Sequence, residues 1–557
     1  MKKTFLSLAL AVSFAVPSSA FAQTATKVGS PAMKAVENIT AAQLKDYLYF
    51  VASDEMEGRN TPSRGLDLTA KFIAMNLSRW GIKPAGDNGT YFQKMSLQRE
   101  SIDRAGAGME INGQKFAYGE EFFRMAGTTN GVLNAPLVFV GNGWLVKSKN
   151  IDSYQGTDVR GKIAVVQLDG APTDASLTVF PKGVTRADLK PEAKGTDWAD
   201  PVTNARQRGA AGVVIVASSE LQGFWGQVRQ FLSSGGSMKV EGLHVEKGAA
   251  TKQETLPVLL VSQTIGNVLF EGETANPIKT PGNMTAFAFS PSKKFGATVN
   301  GKNEILSTQN VVGMIEGSDP ALKAEIVAVG AHYDHVGMNP NIPGEDKIFN
   351  GADDDGSGTV AVLAIAEALA KSPRKPKRSI LFVWHAGEEK GLWGSEYFVK
   401  YPTVDLSKVV TQFNIDMIGR SKKPDDSNPK NVELSGENEI YVIGSKMMST
   451  ELGNTSEAIN NSYLKMAFNY RYDDPKDPNR FFFRSDHFNY AVKGIPIIFY
   501  FDGVHEDYHG VGDHADKIDY AKMEKVTRTI LATMWEVADA RARPVVDKKL
   551  PAELTAR

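Results

Sequence analysis

Residues 327–335 read Val-Ala-Val-Gly-Ala-His-Tyr-Asp-His, a short apolar run that ends in ionisable side chains. The run predicts a buried strand, because a strand that is covered on both faces carries few polar residues. A strongly apolar segment at 360–370 predicts a helix, and the run at 380–383 predicts the next strand. Further apolar runs follow at 409–415, 440–443 and 495–499. This alternation indicates an α/β fold with a mainly parallel, mixed sheet flanked by helices, and ligand groups gather at the carboxyl ends of such strands.

The rest of the chain divides by its local sequence pattern. Between 40 and about 124, apolar residues recur at three- and four-residue spacing, which predicts helices. Later, short apolar runs such as 212–216 are separated by Gly and Asp, which is typical of a separate β-rich unit. We expect a surface loop at 171–200 and a last helix at 520–541. The predicted organisation is a signal peptide at 1–22, an N-terminal helical part of the main domain at 23–132, a β-rich insert at 133–281, the rest of the main domain at 282–545 and a loosely ordered polar tail at 546–557.

The composition is that of a globular protein. Of 557 residues, 42% are hydrophobic and 23% are charged, and 63 Lys and Arg nearly balance 64 Asp and Glu. Because there is no excess of positive charge, the composition does not favour a nucleic acid or an acidic membrane surface as partner. The chain has no Cys, so disulfides and thiolate ligands are excluded. A tightly bound metal ion must therefore be held by His, Asp and Glu.

The N-terminus has the pattern of a secretory signal peptide. Lys2 and Lys3 precede an apolar run at 5–16, and small residues surround the expected cleavage site at 20–22. A permanent membrane anchor is the alternative, but the run is short for a span and no Cys is available for lipidation. We expect release of the mature chain into the periplasm or the medium, without stable membrane insertion.

The ionisable residues are concentrated after the predicted strands. Seven of the eight His lie between His332 and His514. Carboxylates that share a partly dry cleft repel one another, so they require a cation or shared protons. Imidazole beside carboxylate favours zinc with an open position for water, which is the catalytic form of a zinc site. The acidic and His groups stand at 332–334, 353–355, 388–389 and 414–416.

Five segments resemble motifs of the co-catalytic dizinc aminopeptidases, metallopeptidase family 28. The resemblance implies the zinc exopeptidase fold, and the insert is similar to a protease-associated domain, most clearly at 158–162 and 209–212. The matching segments are Gly-Ala-His-Tyr-Asp at 330–334, Gly-Ala-Asp-Asp-Asp-Gly-Ser-Gly at 351–358, Gly-Glu-Glu-Lys-Gly-Leu at 387–392, Asn-Ile-Asp-Met-Ile-Gly at 414–419 and Asp-Tyr-His at 507–509.

The resemblance implies two zinc ions per chain. Asp354 would bridge them, since the family's ligand stands two residues before the Gly-Ser-Gly turn, which leaves Asp353 and Asp355 as neighbours. His332 and Asp416 would complete one ion, and Glu389 and His509 would complete the other. The other His between 332 and 514, which we expect to be supporting or surface groups rather than ligands, are His335, His385, His487, His505 and His514.

Three further residues have predicted roles in the reaction. Adjacent side chains of an extended segment point in opposite directions, so Glu388 can face the shared water while Glu389 binds metal. Glu388 is the predicted general base, which takes a proton from that water and returns it to the leaving amine. Asp334 is expected to accept the other ring N–H of His332, and Tyr508 is expected to stabilise the oxyanion. The run 485–487, Ser-Asp-His, suggests a nucleophile, but three sequence neighbours cannot form a relay, and the resemblance implies a pocket rim.

The predicted function is release of N-terminal amino acids from peptides. A carboxypeptidase or a glutamate-releasing enzyme is the alternative activity, for which Arg484 and Arg420 are the candidate clamps of a substrate carboxylate. A glutaminyl cyclase resembles a one-zinc version without the first His ligand, so His332 argues against it. A non-catalytic binding protein is disfavoured because all five ligands and Glu388 are retained. The oligomeric state is left open.

Overall fold

The computed structural model describes residues 28–125, 131–170, 178–233, 238–244, 256–282, 284–551 and 554. The chain forms two compact units. The main unit consists of Met1–Lys94 and Gln309–Arg557, and the β-rich unit consists of Met95–Thr308. The strands Phe92–Ile102 and Gly301–Ile315 run through the boundaries between them.

The main unit is built on a mixed sheet, which confirms the predicted α/β fold. Its central strands, Ser379–His385, Ile326–His332, Val409–Ile415 and Ile497–Phe501, are parallel to one another. Their residues are buried throughout and mostly apolar, as expected for strands that are covered on both faces. The strand order is Phe92–Ile102, Gly301–Ile315, Ser379–His385, Ile326–His332, Val409–Ile415, Ile497–Phe501, Glu439–Ile443 and Ala467–Asn469.

Helices cover the main sheet. Gly358–Lys371 is rich in Ala and Leu and is buried from Gly358 to Leu369, so its apolar character extends around the whole helix. Tyr520–Asp539 begins where the side chain of Asp519 accepts a hydrogen bond from Lys522 N. The other main-unit helices are Ser30–Val36, Ala41–Val51, Arg64–Arg79, Trp393–Lys400, Thr450–Ser462 and His487–Ala491, and the short strands are Lys83–Pro84, Gly337–Met338 and Ile348–Phe349.

The β-rich unit has its own apolar core. Its largest sheet has the strand order Phe287–Ala288, Leu137–Phe139, Ile163–Gln167, Gly212–Val216, Val258–Val261 and Phe122–Arg124. A second sheet has the order Gln114–Ala117, Gly108–Ile111, Phe295–Val299 and Gly131–Leu133. The remaining strands are Leu145–Val146, Ile151–Asp152, Trp198–Ala199 and Met238–Val240, and the helices are Pro201–Gln207, Ser219–Gly223, Trp225–Ser233 and Gln263–Phe270. The predicted β-rich character is confirmed.

The structure differs from the sequence prediction at several boundaries. The helical lead-in ends at Arg79, and strands follow from Lys83 although helices were expected to about 124. The compact β-rich unit is wider than 133–281, because strands on both sides complete its second sheet. In the predicted polar tail, Leu554 is buried in the core of the main unit.

Some predictions fall on residues that the structure does not describe. The predicted signal peptide at 1–22 and part of the predicted loop, 171–177, lie outside the described residues. Among the residues that are described, none of the helices combines the length and the apolar character needed to span a bilayer.

Candidate metal centre

The predicted ligands lie at one edge of the main sheet. His332 is the last residue of Ile326–His332, and Asp416 directly follows Val409–Ile415. The carboxyl ends of parallel strands meet at the same edge, so these side chains lie close together. Three further segments reach this edge: Asp354 precedes the helix Gly358–Lys371, Glu388 and Glu389 follow Ser379–His385, and His509 follows Ile497–Phe501.

One group consists of His332, Asp354 and Asp416. His332 Nε2 lies 3.2 Å from Asp354 Oδ1 and 3.5 Å from Asp416 Oδ1. All three side chains are buried, and one potential ligand atom from each lies within 4.8 Å of the others. Glu388 Oε2 is 3.9 Å from the same ring nitrogen, at the margin of the group. The arrangement can hold one metal ion, with Glu388 beside it.

A second group shares Asp354. His509 Nε2 lies 3.1 Å from Asp354 Oδ2 and 3.0 Å from Glu389 Oε2. His335 Nδ1 also lies here, 2.8 Å from Glu389 Oε1 and 3.7 Å from Asp354 Oδ2. Asp354 therefore has one oxygen facing each group. His335 was expected to be a supporting group, and the structure places it among the potential ligands; its three-residue spacing from His332 was the available sequence signal.

Buried atoms without hydrogen-bond partners indicate that this site is suited to a cation. Both ring nitrogens of His335, Asp354 Oδ2 and Glu389 Oε1 are buried and have no partner in hydrogen-bonding geometry among the described residues. Leaving such atoms unsatisfied is costly in a protein interior, whereas a bound cation would satisfy them together. A donor set of imidazole and carboxylate without thiolate fits zinc.

The local charges separate the pKa values of neighbouring carboxyl groups. Burial favours the neutral form of Asp354, but His335 and His332 outweigh it and hold the pKa of this carboxyl well below its usual range. Burial raises the pKa of Glu388 well above its usual range, and the charge of Glu389 adds to this although His332 opposes it. Of these two carboxyl groups, Asp354 is therefore the ionised one, and Glu388 retains its proton more readily.

Asp354 is the only member of the acidic triplet that faces both His groups. Asp353 Oδ1 accepts a hydrogen bond from Gly419 N at 2.7 Å. Asp355 Oδ1 accepts one from Gly358 N at 2.8 Å. These contacts hold Asp353 and Asp355 against the main chain, as neighbours of the predicted ligand.

Asp334 supports the site differently from the prediction. His332 Nδ1 lies 3.1 Å from the main-chain carbonyl of Asp334, whereas the Asp334 carboxylate is 3.7 Å away. That carboxylate instead accepts hydrogen bonds from Glu388 N at 3.1 Å and from Thr61 Oγ1 at 3.0 Å. The carbonyl is therefore the nearer partner of His332, and the carboxylate fixes the backbone of Glu388.

The run 485–487 does not form a nucleophilic relay. Ser485 Oγ donates to Asp416 Oδ2 at 2.6 Å, which orients that carboxylate. Asp486 Oδ2 lies 3.4 Å from His385 Nδ1, and the His487 ring stacks on Phe499 with a centroid distance of 4.4 Å. The three side chains point to different partners, as the sequence argument expected.

Two further His of the main unit, His505 and His514, have carboxylate partners outside the two groups. His505 Nε2 lies 3.3 Å from Asp353 Oδ2 in the buried layer behind the triplet. His514 is partly exposed and lies 3.3 Å from Asp346. Neither lies among the potential ligands found in the described residues.

A small cavity of about 30 Å³ opens beside the first group. Tyr508 lines it, and its hydroxyl accepts a hydrogen bond from Arg484 Nη2 at 3.1 Å. Burial and the charge of Asp354 raise the pKa of Tyr508, so the phenol keeps its proton. The other lining residues are His332, Asp354, Glu388, Asp416, Met417, Phe481, Arg484, Phe499, Phe501 and Val504.

Comparisons with known proteins give two family matches. The description "Peptidase family M28" matches residues 310–534, and "PA domain" matches residues 133–269. Leucine aminopeptidase 2 of Arthroderma otae is 26% identical over 291 residues, which are 48% of this chain and 52% of that protein. Leucine aminopeptidase 2 of Trichophyton equinum is 27% identical over 256 residues, 42% of this chain and 45% of that protein. The chain thus spans about half the length of these curated relatives.

A solved structure is also similar over most of the chain. The aminopeptidase from Aneurinibacillus sp. strain AM-1 has 17% sequence identity and a TM-score of 0.48, and the match covers 93% of this chain and 98% of that chain.

Proposed function

We infer that this chain, whose residues 310–534 match peptidase family M28 and whose residues 133–269 match the PA domain, is a zinc-dependent aminopeptidase. We propose that it hydrolyses peptides at their N-terminal residue with two zinc ions per chain. The observation that carries the proposal is the pair of His and carboxylate groups that share Asp354, beside a cavity that also exposes Glu388.

The two groups supply the proposed ligand sets. His332 and Asp416 would hold one ion, and Glu389 and His509 would hold the other, with Asp354 common to both. His335 is an added candidate for the second set, since its ring nitrogen lies 2.8 Å from Glu389. When bound, zinc supplies Lewis acidity that polarises a peptide carbonyl and lowers the pKa of a neighbouring water.

Glu388 is the proposed general base. Its carboxylate lines the cavity, and its backbone N–H is fixed by Asp334 at 3.1 Å. Oε2 of this carboxylate would accept a proton from the attacking water and release it to the leaving amine. A raised pKa suits both steps, because proton transfer is most efficient when the catalytic pKa lies near the working pH.

Exopeptidase action follows from the charge of the cavity. A protonated peptide amine would be attracted by the acidic lining of the cavity, whereas a blocked amine carries no charge to be attracted. Tyr508 retains its proton and can donate a hydrogen bond to the developing oxyanion. We therefore propose free amino termini as the substrate feature that the site selects.

We propose that the mature protein works outside the cytoplasm, in the periplasm or the medium. The charged start, the apolar run at 5–16 and the small residues at 20–22 support this location. N-terminal sequencing of protein recovered from the periplasmic and culture fractions tests it. A chain that begins near Gln23 is expected, and a chain that keeps its first 22 residues in the cytoplasm would refute it.

Carboxypeptidase action is the second candidate because of one observation. Arg484 is exposed at the cavity wall, where its guanidinium contacts Tyr508 and packs over the Phe481 ring at 4.9 Å. It can reach a substrate carboxylate. Arg420 is less suited, because its Nη2 is paired with Asp507 at 2.9 Å.

The test uses the full mature chain and three classes of substrate. Free aminoacyl anilides, their N-acetylated forms and peptides with a cleavable C-terminal residue are compared, with zinc counted per chain before and after chelation. We expect cleavage of the free anilides only, two zinc ions per chain, and recovery of activity when zinc is returned. Cleavage of the blocked substrates without the free ones would overturn the proposal.

Glu388→Gln isolates the proposed base. Removing a positioned general base costs about 10²- to 10⁴-fold in rate, so kcat should fall by about that factor while zinc remains bound. Glu367→Gln is a matched control, because Glu367 is also buried in the main unit but interacts with Tyr47 and Lys371 away from the cavity. Full activity in Glu388→Gln would exclude the proposed mechanism.

A further inference from the structure

A fully buried arginine lies behind the metal-ligand segments. Arg59 ends the short helical turn Asp54–Arg59 and has 0% of its surface exposed. Burial lowers the pKa of its guanidinium, and the charges of Asp334 and Asp354 oppose this effect through space. An arginine retains its charge in proteins, so a fixed positive charge stands near the acidic centre.

The guanidinium binds main-chain carbonyls that flank the proposed ligands. Nε donates to Tyr333 O at 3.0 Å, directly after His332. Nη1 donates to Asn350 O at 2.6 Å, and Nη2 donates to Gly351 O at 2.8 Å. Nη1 also donates to Val51 O at 2.9 Å. One side chain therefore joins the segment that carries His332 to the segment that leads to Asp354.

The main chain of Arg59 adds a contact to the same region. His335 N donates to Arg59 O at 3.2 Å. The preceding Gly58 packs so closely that a Cβ there would lie 2.3 Å from Gly337 O and 2.5 Å from Phe349 O. Asn350 Nδ2 donates to Ala52 O at 3.0 Å. The turn thus contacts the chain on both sides of the proposed ligands.

The geometry of guanidinium makes this arrangement directional. Its N–H groups lie in one plane at fixed angles, so carbonyls bound to different nitrogens are held at set relative positions. Hydrogen bonds from a charged donor are also stronger than those between neutral groups. A lysine ammonium is a point charge on a flexible stem and cannot hold several separated carbonyls in one plane.

We propose that Arg59 is a positioning residue that fixes the His332–His335 segment against the Asn350–Asp354 segment, so that the shared carboxylate meets both groups of ligands. This inference rests on the proposed zinc site, and it assigns the N-terminal turn a part in metal binding. Arg59 lines no part of the cavity, so it acts through the ligands rather than on a substrate.

The test measures zinc affinity of the full chain for Arg59→Lys. Metal-free protein is titrated with zinc in competition with a chromogenic chelator, and thermal unfolding of the metal-free form is recorded in parallel. Supporting groups of metal sites typically contribute 10- to 100-fold in affinity, so we expect the zinc dissociation constant to rise by about that factor. At zinc concentrations above that constant, most of the wild-type kcat should return.

Arg378→Lys is the matched control. Arg378 is 1% exposed and also donates to main-chain carbonyls of the main unit, those of Val537 and Ala540, but away from the site. Both variants should unfold at lower temperature, whereas only Arg59→Lys should bind zinc more weakly. An unchanged affinity in Arg59→Lys, or an equal loss in Arg378→Lys, would overturn the positioning role.

If Arg59→Lys does not fold, the zinc affinity of Asn350→Ala is measured instead. It removes the side-chain bonds from Asn350 to Ala52 O and Asp54 Oδ1 but leaves the guanidinium in place. A weaker, several-fold loss of zinc affinity supports the proposal, and an unchanged affinity overturns it. If zinc binding depends on Arg59 but the protein has no peptidase activity, only the proposed function is refuted. If the protein is a peptidase but its zinc affinity does not depend on Arg59, only this inference is refuted.

Discussion

Replacing Ser485 by Ala tests whether a single buried hydroxyl orients the proposed ligand Asp416. Ser485 Oγ donates to Asp416 Oδ2 at 2.6 Å and accepts from Asn414 Nδ2 at 2.8 Å. Ser485 and Asp416 are 1% and 6% exposed, so water does not readily replace the lost partner. Each buried polar group left unpaired costs about 1–3 kcal/mol, so two such groups give a loss of about 2–6 kcal/mol in the unfolding free energy of the metal-free protein.

The effect on zinc should exceed the effect of destabilisation alone. With Oδ2 released, the Asp416 carboxylate can rotate away from His332, and we expect the zinc dissociation constant to rise about 10- to 100-fold. Chelator competition measures the constant, and urea unfolding measures stability. Ser456→Ala is the control, because Ser456 is also buried but its Oγ lies 3.3 Å from the Tyr500 hydroxyl. Zinc affinity within twofold of wild type in Ser485→Ala would refute the reasoning.

Two further predictions concern the backbone and pH. Gly351 has a φ of 57°, and a Cβ there would lie 2.3 Å from Asp354 O, so Gly351→Ala should lower the melting temperature and weaken zinc binding. Gly81→Ala is the control, because Gly81 also has a positive φ, of 70°, but a Cβ there would meet open space. Calorimetry should therefore show a loss of only about 1 kcal/mol in the unfolding free energy. Chelator competition should show an unchanged zinc affinity. Burial raises the pKa of Asp473 from 3.8 to about 6, so the folded protein holds a proton that the unfolded chain releases, and stability falls as pH rises from about 4 to 6. Asp473→Asn should therefore raise the unfolding free energy at pH 7 by up to about 3 kcal/mol. Urea unfolding of both proteins measures this difference, which should disappear near pH 4.

Much of the main unit could be predicted because its central strands and the helix after the acidic triplet are mostly apolar. The run 409–415 was expected as a strand and forms Val409–Ile415, and the helix expected at 360–370 forms Gly358–Lys371. In contrast, Phe92–Ile102 alternates buried and exposed or partly exposed residues only from Phe92 to Leu97, and it falls where helical spacing was expected. Its pairing with distant strands decides its structure, and local periodicity does not contain that information.

The candidate site was predictable to the extent that motif residues follow strand ends. The structure brings the five predicted ligands together, while their roles as ligands stay predictions. His335 was not expected among them, because the direction of its ring depends on how the chain turns after Ile326–His332. Arg59 had no signal of its own, and Ser485 drew attention only as part of the run 485–487. Their contacts with Tyr333 and Asp416 cross 274 and 69 residues of sequence.

The triplet 353–355 shows how the fold selects one carboxylate from three identical side chains. Asp513 Oδ2 accepts the N–H groups of Asp353 and Asp354, at 2.9 and 3.1 Å, and so sets the direction of the chain. Asp355 accepts from Met417 N and His332 N, both at 3.2 Å, so its rotation would leave buried donors unpaired at about 1–3 kcal/mol each. Among the residues that the structure describes, no main-chain N–H donates to Asp354 Oδ2, so this oxygen can face His509. The shared position of this carboxylate therefore follows from where neighbouring main-chain N–H groups lie, and a carboxylate moved one residue along the triplet would not replace it.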